Sequence, residues 1–158
     1  MSTSPSTPNR QALCFTEALS SFKDILDTAD RGGLTVVQRG TGSASIVNTE
    51  RLLQHLVRNT PANVQVVNEG GAWAMFIPSL PIAGEGTTLS EATADLLEAL
   101  REYAEDWEDH LHAASNHAGN WALVQIIDAS TDEQLTLWLT EGRPTTYECP
   151  PSPRISQA

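Results

Sequence analysis

The longest periodic segment of this 158-residue chain, from Thr88 to His112, constrains its fold more than any other feature. Leu89, Ala92, Leu96, Leu100, Tyr103, Trp107 and Leu111 recur at helical spacing and form one apolar stripe. Thr88 and Glu91 stand three residues apart at its start, the spacing of a capping box, which satisfies the free N–H groups of a first helical turn. The pattern predicts a helix over about 89–112. Its other face carries Glu98, Glu102, Glu105, Asp106, Glu108 and Asp109. Such a helix must bury one side in a core and offer carboxylates on the other.

A hairpin precedes this helix. Val64–Val67 and Ala72–Ile77 read as strands, and Asn68-Glu69-Gly70-Gly71 as the turn between them. Pro78 and Pro81 then force the chain off the sheet, since proline cannot donate to a ladder. Gly84-Glu85-Gly86 reads as a flexible connection. After the helix, Ser115–Asn120 is a loop, and Trp121–Ile127 reads as a strand. Ser130–Gly142, with Glu133 three residues after its N-cap, predicts a short helix; a strand at Leu135–Leu139 is the alternative.

The N-terminal part has its own pattern. Phe15, Leu19, Phe22, Ile25 and Leu26 predict a helix over about 16–30, capped by Thr16 and ended by Gly32–Gly33. Leu34–Gln38 and Ala44–Val47 predict a second hairpin, turning at Arg39-Gly40-Thr41-Gly42. A helix over about 50–58 follows, with Leu52, Leu53, Leu56 and Val57 as its apolar face. Asn59-Thr60-Pro61 breaks it. The division is therefore a polar arm at 1–9, one domain at 10–60, another at 61–142, and a proline-rich tail at 143–158. Arm and tail lack periodicity and read as disordered.

Charge follows the same division. Residues 1–60 hold six basic against five acidic side chains; residues 61–158 hold three against fifteen, within a net charge of −11. This asymmetry suits two modules facing different partners. No apolar run approaches the roughly 20 residues of a membrane helix. The first twelve residues carry no secretory pattern, and Cys14 and Cys149 are too isolated for a metal site or disulfide framework. A cytoplasmic protein with reduced thiols and no membrane contact is the expectation.

Catalytic and cofactor signatures are weak. His110, His112 and His117 invite a zinc reading, but an i, i+2 pair diverges on a helix and no cysteine lies near. No G-x-S-x-G elbow occurs, and Gly40-x-Gly42 and Gly84-x-Gly86 lack the rest of a phosphate loop. No cofactor, metal or catalytic residue is expected.

Two resemblances refine this α+β reading. Phe15–Leu56, above all Leu34-Thr35-Val36-Val37-Gln38-Arg39-Gly40 followed by Ala44-Ser45-Ile46-Val47, resembles the Phd/YefM antitoxin head. That resemblance implies a homodimer seated on operator DNA and repressing transcription. The family's early helical arginine has no counterpart in Thr16-Glu17-Ala18-Leu19, so Arg10, Lys23 and Arg39 are the available phosphate contacts.

Gly71-Ala72-Trp73-Ala74-Met75-Phe76-Ile77-Pro78-Ser79-Leu80-Pro81, then Gly86-Thr87-Thr88-Leu89-Ser90-Glu91-Ala92, resembles HicB antitoxins. The implied fold is a degraded RNase H-like antiparallel sheet with one long helix. Its two strands carry no carboxylates that could converge on metal ions, so a nuclease is not expected. The resemblance implies an antitoxin that binds a small basic RNA-cleaving toxin and does no chemistry. The candidate toxin contacts are Glu98, Glu102, Glu105, Asp106, Glu108 and Asp109, with Trp138 as an aromatic anchor; Tyr103 and Trp107 suit the core. The rival reading is a stand-alone dimeric regulator without a toxin.

Overall fold

A computed structural model describes residues 12–141. The arm at 1–9, Arg10 and the tail at 143–158 lie outside the described residues. The fold is mixed α+β, in two compact units divided between Gln54 and His55.

The first unit opens with β1 (Leu13–Cys14) and α1 (Phe15–Ser20), followed by α2 (Phe22–Asp30). The single helix expected over 16–30 is thus interrupted at Ser21. The Ser20 hydroxyl donates to the Glu17 carbonyl at 2.9 Å, a local bond of the kind that bends helices. The N-cap is Cys14 and not Thr16: the Cys14 N–H donates to the Glu17 carboxylate at 3.2 Å. Gly32 and Gly33 end α2 as expected, their N–H groups donating to the Ala29 and Thr28 carbonyls. β2 (Thr35–Arg39) and β3 (Gly42–Ile46) form the expected antiparallel hairpin, and β1 adds a parallel edge to β2. A two-residue strand is too short to show periodicity, so β1 is not visible in the sequence. α3 (Thr49–Asn59), within which the division between the units falls, follows and stops at the predicted breaker.

The second unit contains β4 (Gln65–Glu69), β5 (Ala72–Phe76), β6 (Ala83–Gly86), α4 (Leu89–Asp109), two short 3-10 turns, α5 (Trp121–Ala129) and α6 (Asp132–Glu141). The three strands form an antiparallel meander in the order β4-β5-β6. Gly70 and Gly71 have φ of 60° and 85°, the paired positive values of a two-residue hairpin turn. α4 lies on β5 and β6, and α5 and α6 pack against α4. Met75, Leu96, Leu100, Val124, Ile126, Ile127, Leu135 and Leu139 are fully buried between them.

Two expectations fail here. The segment Trp121–Ile127 is helix α5 and not a strand. Its buried positions are Leu123, Val124, Ile126 and Ile127, a spacing that fits one helical face and not strand alternation. Tertiary packing on α4 overrides the strand preference of the β-branched residues. The short helix expected at Ser130–Gly142 is present as α6, not the alternative strand.

The second failure is Gly84-Glu85-Gly86, which is not a flexible connection but the strand β6. A Cβ at Gly84 would lie 2.3 Å from the Ala92 carbonyl oxygen and the Leu96 nitrogen, and one at Gly86 would lie 2.7 Å from the Ala92 nitrogen. Both glycines exist so that the strand can touch the backbone of α4. Ala92, fully buried, is the small residue on the helix side of the same contact.

Candidate functional site

The start of α4 keeps half of the predicted capping box: Thr88 is the N-cap, but the Glu91 side chain reaches Thr87 instead of the Thr88 N–H. The Glu91 N–H donates to the Thr88 hydroxyl at 3.1 Å. The Thr87 hydroxyl and N–H both donate to the Glu91 carboxylate, at 2.6 and 2.8 Å. Those Thr87 hydrogen bonds, the hydroxyl's first, hold the Glu91 carboxyl below the usual carboxylate range. One turn on, Asp95 accepts from the Glu85 N–H at 2.8 Å.

Beyond that anchored turn, Glu98, Glu102, Glu105 and Asp109 make no ion pair among the described residues. Ala92, Leu96, Leu100, Tyr103 and Ala104 face the core. Glu98, Glu102, Glu105 and Asp109 line the opposite stripe at i, i+4, i+7 and i+11, all exposed, with exposed Asp106 and Glu108 flanking it. Like charges three or four apart destabilise a helix by about 0.2–0.5 kcal/mol per pair. The stripe therefore costs α4 stability, and the buried face must offset it.

The single basic side chain of α4 is engaged elsewhere. Arg101 is the only Lys or Arg between Pro61 and Glu141. Its guanidinium donates to the carbonyls of Ile127 and Ser130 and to the Asp132 carboxylate, the last at 2.9 Å. It ties the end of α5 to the start of α6. Its partners lie 26 to 31 residues away, so sequence spacing does not signal this role.

Glu108 turns toward Asp128 of α5, a residue not singled out by the sequence. The Asp128 charge, then a hydrogen bond shared with it, raises the Glu108 carboxyl above the usual range. Trp138 is corrected: it is 4% exposed, and its indole N–H donates to the Thr60 carbonyl at 2.8 Å. It is a core residue with no face to offer a partner. Tyr103 is buried as expected, and its hydroxyl lies 2.9 Å from His117 Nδ1 and accepts from the Asn120 amide at 2.7 Å. Trp107 is half-buried and donates to the His117 carbonyl. His117 therefore serves this network, while His110 and His112 are exposed. Among the described residues no group of three or more His, Cys, Asp or Glu could hold a metal ion. No helix of the described residues is long and apolar enough to cross a membrane.

The first unit presents an apolar surface. Small Ala18 and Ala29, with Ile25, turn inward, while Phe15, Leu19, Phe22 and Leu26 are 49%, 62%, 53% and 44% exposed. Phe15, Leu19 and Phe22 line a groove of about 470 Å³ with Val37, Ala44 and Ile46. A monomer rarely leaves its larger apolar residues outside and its smaller ones inside without a partner for them. Of the expected phosphate contacts, Arg39 lies on the groove rim with its guanidinium 5.6 Å from the Phe15 ring centroid. Lys23 is exposed and ion-paired with Asp27 at 2.7 Å. The two share no partner.

Comparison with known proteins adds two findings. Residues 10–134 match the model of the PHD-like family, described as antitoxin of toxin–antitoxin, RelE/RelB. The fold is similar to the crystal structure of the antitoxin part of a proposed toxin/antitoxin system from Syntrophomonas wolfei subsp. wolfei, with a TM-score of 0.68 and 19% identity over 81% of this chain and 95% of that one. No curated protein matches the sequence significantly.

Proposed function

Because the chain belongs to the PHD-like antitoxin family of toxin–antitoxin systems, we propose that it neutralises a small basic, RNA-cleaving toxin through the exposed acidic face of α4. The observation that carries this reading is the stripe Glu98-Glu102-Glu105-Asp109, which has no ion-pair partner among the described residues, Arg101 being committed to α5 and α6. A toxin that holds RNA needs a cationic surface for phosphates. A carboxylate face covers such a surface and speeds encounter. Inhibition is by occlusion, with no bond made or broken and no cofactor. The β4-β5-β6 meander leading into α4 supports the HicB-like reading of this unit.

The first unit acts as the Phd/YefM-like head. Its exposed apolar groove joins two chains, and the dimer carries Arg39, Lys23 and Arg10 to operator DNA for autorepression. Few cations are available, so DNA affinity should be modest and steeply dependent on their clustering across the dimer.

The test is binding to the small protein encoded beside this chain. Glu98→Gln, Glu102→Gln, Glu105→Gln and Asp109→Asn together should weaken binding by about 2–4 kcal/mol at low salt and flatten its salt dependence. Unchanged affinity and salt slope in a folded variant would remove this face from the interface.

A further inference from the structure

The two edges of the second unit's sheet are treated differently. On β6 the outward N–H of Glu85 donates to Asp95, and just past the strand's end the N–H of Thr87 donates to Glu91. Carboxylates from α4 thus cover the C-terminal half of that edge. The bond from Glu85 also sets the alternation of the whole sheet. Glu85 faces away from its partner Ala74, so Ala74 bonds to Val67, and Val66 and Asn68 direct their backbone groups outward from β4. Among the described residues those outward groups have no partner.

β4 has little of what normally protects an edge, its one charge being Glu69 at its end. Its sequence, Gln65-Val66-Val67-Asn68-Glu69, has no proline or lysine, and its pairing with β5 runs without a bulge. Val67 is 40% exposed on the sheet face opposite α4, since the neighbouring row Val66-Met75-Gly84 faces the helix.

We propose that β4 pairs antiparallel with β4 of a second copy of this chain, about a two-fold axis at Val67. The register is self-complementary. Val66 and Asn68 exchange backbone bonds with Asn68 and Val66 of the other copy, Val67 meets its own counterpart, and the Gln65 amide faces the Glu69 carboxylate. No like charges stand opposite each other in this register. A five-residue edge buries less than the roughly 1,200 Å² of a stable interface, so the contact is weak alone. It gains strength where the heads already join two chains. Copies with a net charge of −11 repel one another, so the contact should strengthen with added salt, opposite to an acidic-to-basic toxin contact. The inference does not depend on the head or toxin reading.

The experiment is sedimentation equilibrium of the full chain in a Leu19→Glu background, which removes the head contact. Concentration-dependent dimerisation that rises with salt is expected. Val67→Lys and Val67→Glu should each weaken it tenfold or more, and an equimolar mixture of the two should restore it, because opposite charges then meet at the axis. Asn68→Pro removes an outward N–H without touching the β5 pairing and should weaken it as well. A background that stays monomeric at every concentration, Val67 variants that dimerise like their parent, or a mixture that stays apart would overturn the proposal. Loss of toxin binding in the Val67 variants with unchanged mass would overturn it too, and would assign the edge to the toxin. If the Leu19→Glu background dimerises as tightly as the parent chain and Val67 variants leave that dimer intact, both this pairing and the head reading fail; if it dimerises as tightly as the parent and Val67 variants dissociate it, the head reading alone fails.

Discussion

Leu19→Glu tests the head surface most sharply. Leu19 is the most exposed of the four apolar residues on α1 and α2, at 62%. Complete burial of a leucine side chain contributes about 1.5–3 kcal/mol, so covering the exposed part contributes about 1–2 kcal/mol per chain. A two-fold contact loses this twice. It also gains two carboxylates that must be desolvated close together, adding several kcal/mol. A loss of at least about 4 kcal/mol is expected, or roughly a thousandfold in the dimer dissociation constant. Because Leu19 points away from Ala18, Ile25 and Ala29, the chain itself should keep its helical content and melting temperature. Sedimentation velocity with circular dichroism reads both quantities. A folded variant with the parental dissociation constant would refute the argument that the groove is covered by another chain.

Gly84→Ala should lower stability by about 3 kcal/mol, seen as a melting temperature lower by about 10 °C, because the new methyl meets helix backbone at 2.3 Å. Arg101→Ala should cost about 2–4 kcal/mol in denaturant unfolding, since it strands the Ile127 and Ser130 carbonyls; Asp132→Asn, at an exposed partner, should cost far less. Glu91 and Glu108 should show opposite pH linkage. The Glu91 carboxyl is lowered in the folded chain, so its contribution is present above the unfolded value and lost as pH falls through the folded one; Glu91→Gln should remove that acid-side loss. The Glu108 carboxyl is raised, so its charge opposes folding at neutral pH and this opposition fades as pH falls through the carboxylate range. Glu108→Gln should therefore stabilise at pH 7 and do little in acid, read by urea titrations across pH.

The sequence alone determined the elements whose causes lie within a few residues. The α4 stripe, its threonine–glutamate cap, both glycine hairpins and the breaker after α3 depend on neighbours three or four positions away, or on one residue's own backbone freedom. The acidic face was legible for the same reason: helical spacing puts Glu98, Glu102, Glu105 and Asp109 together wherever the helix lies. Tertiary structure decided what depends on distant partners. Trp121–Ile127 has strand-forming residues, yet packing against α4 makes it a helix. Gly84 and Gly86 look like slack until a helix backbone lies against them. Trp138 looks available until the Thr60 carbonyl, 78 residues earlier, accepts its N–H. Arg101 looks like a counter-charge for its own helix until carbonyls on α5 draw it away. A side chain's type and period are written locally, but its partner is chosen only when the chain has closed its loops.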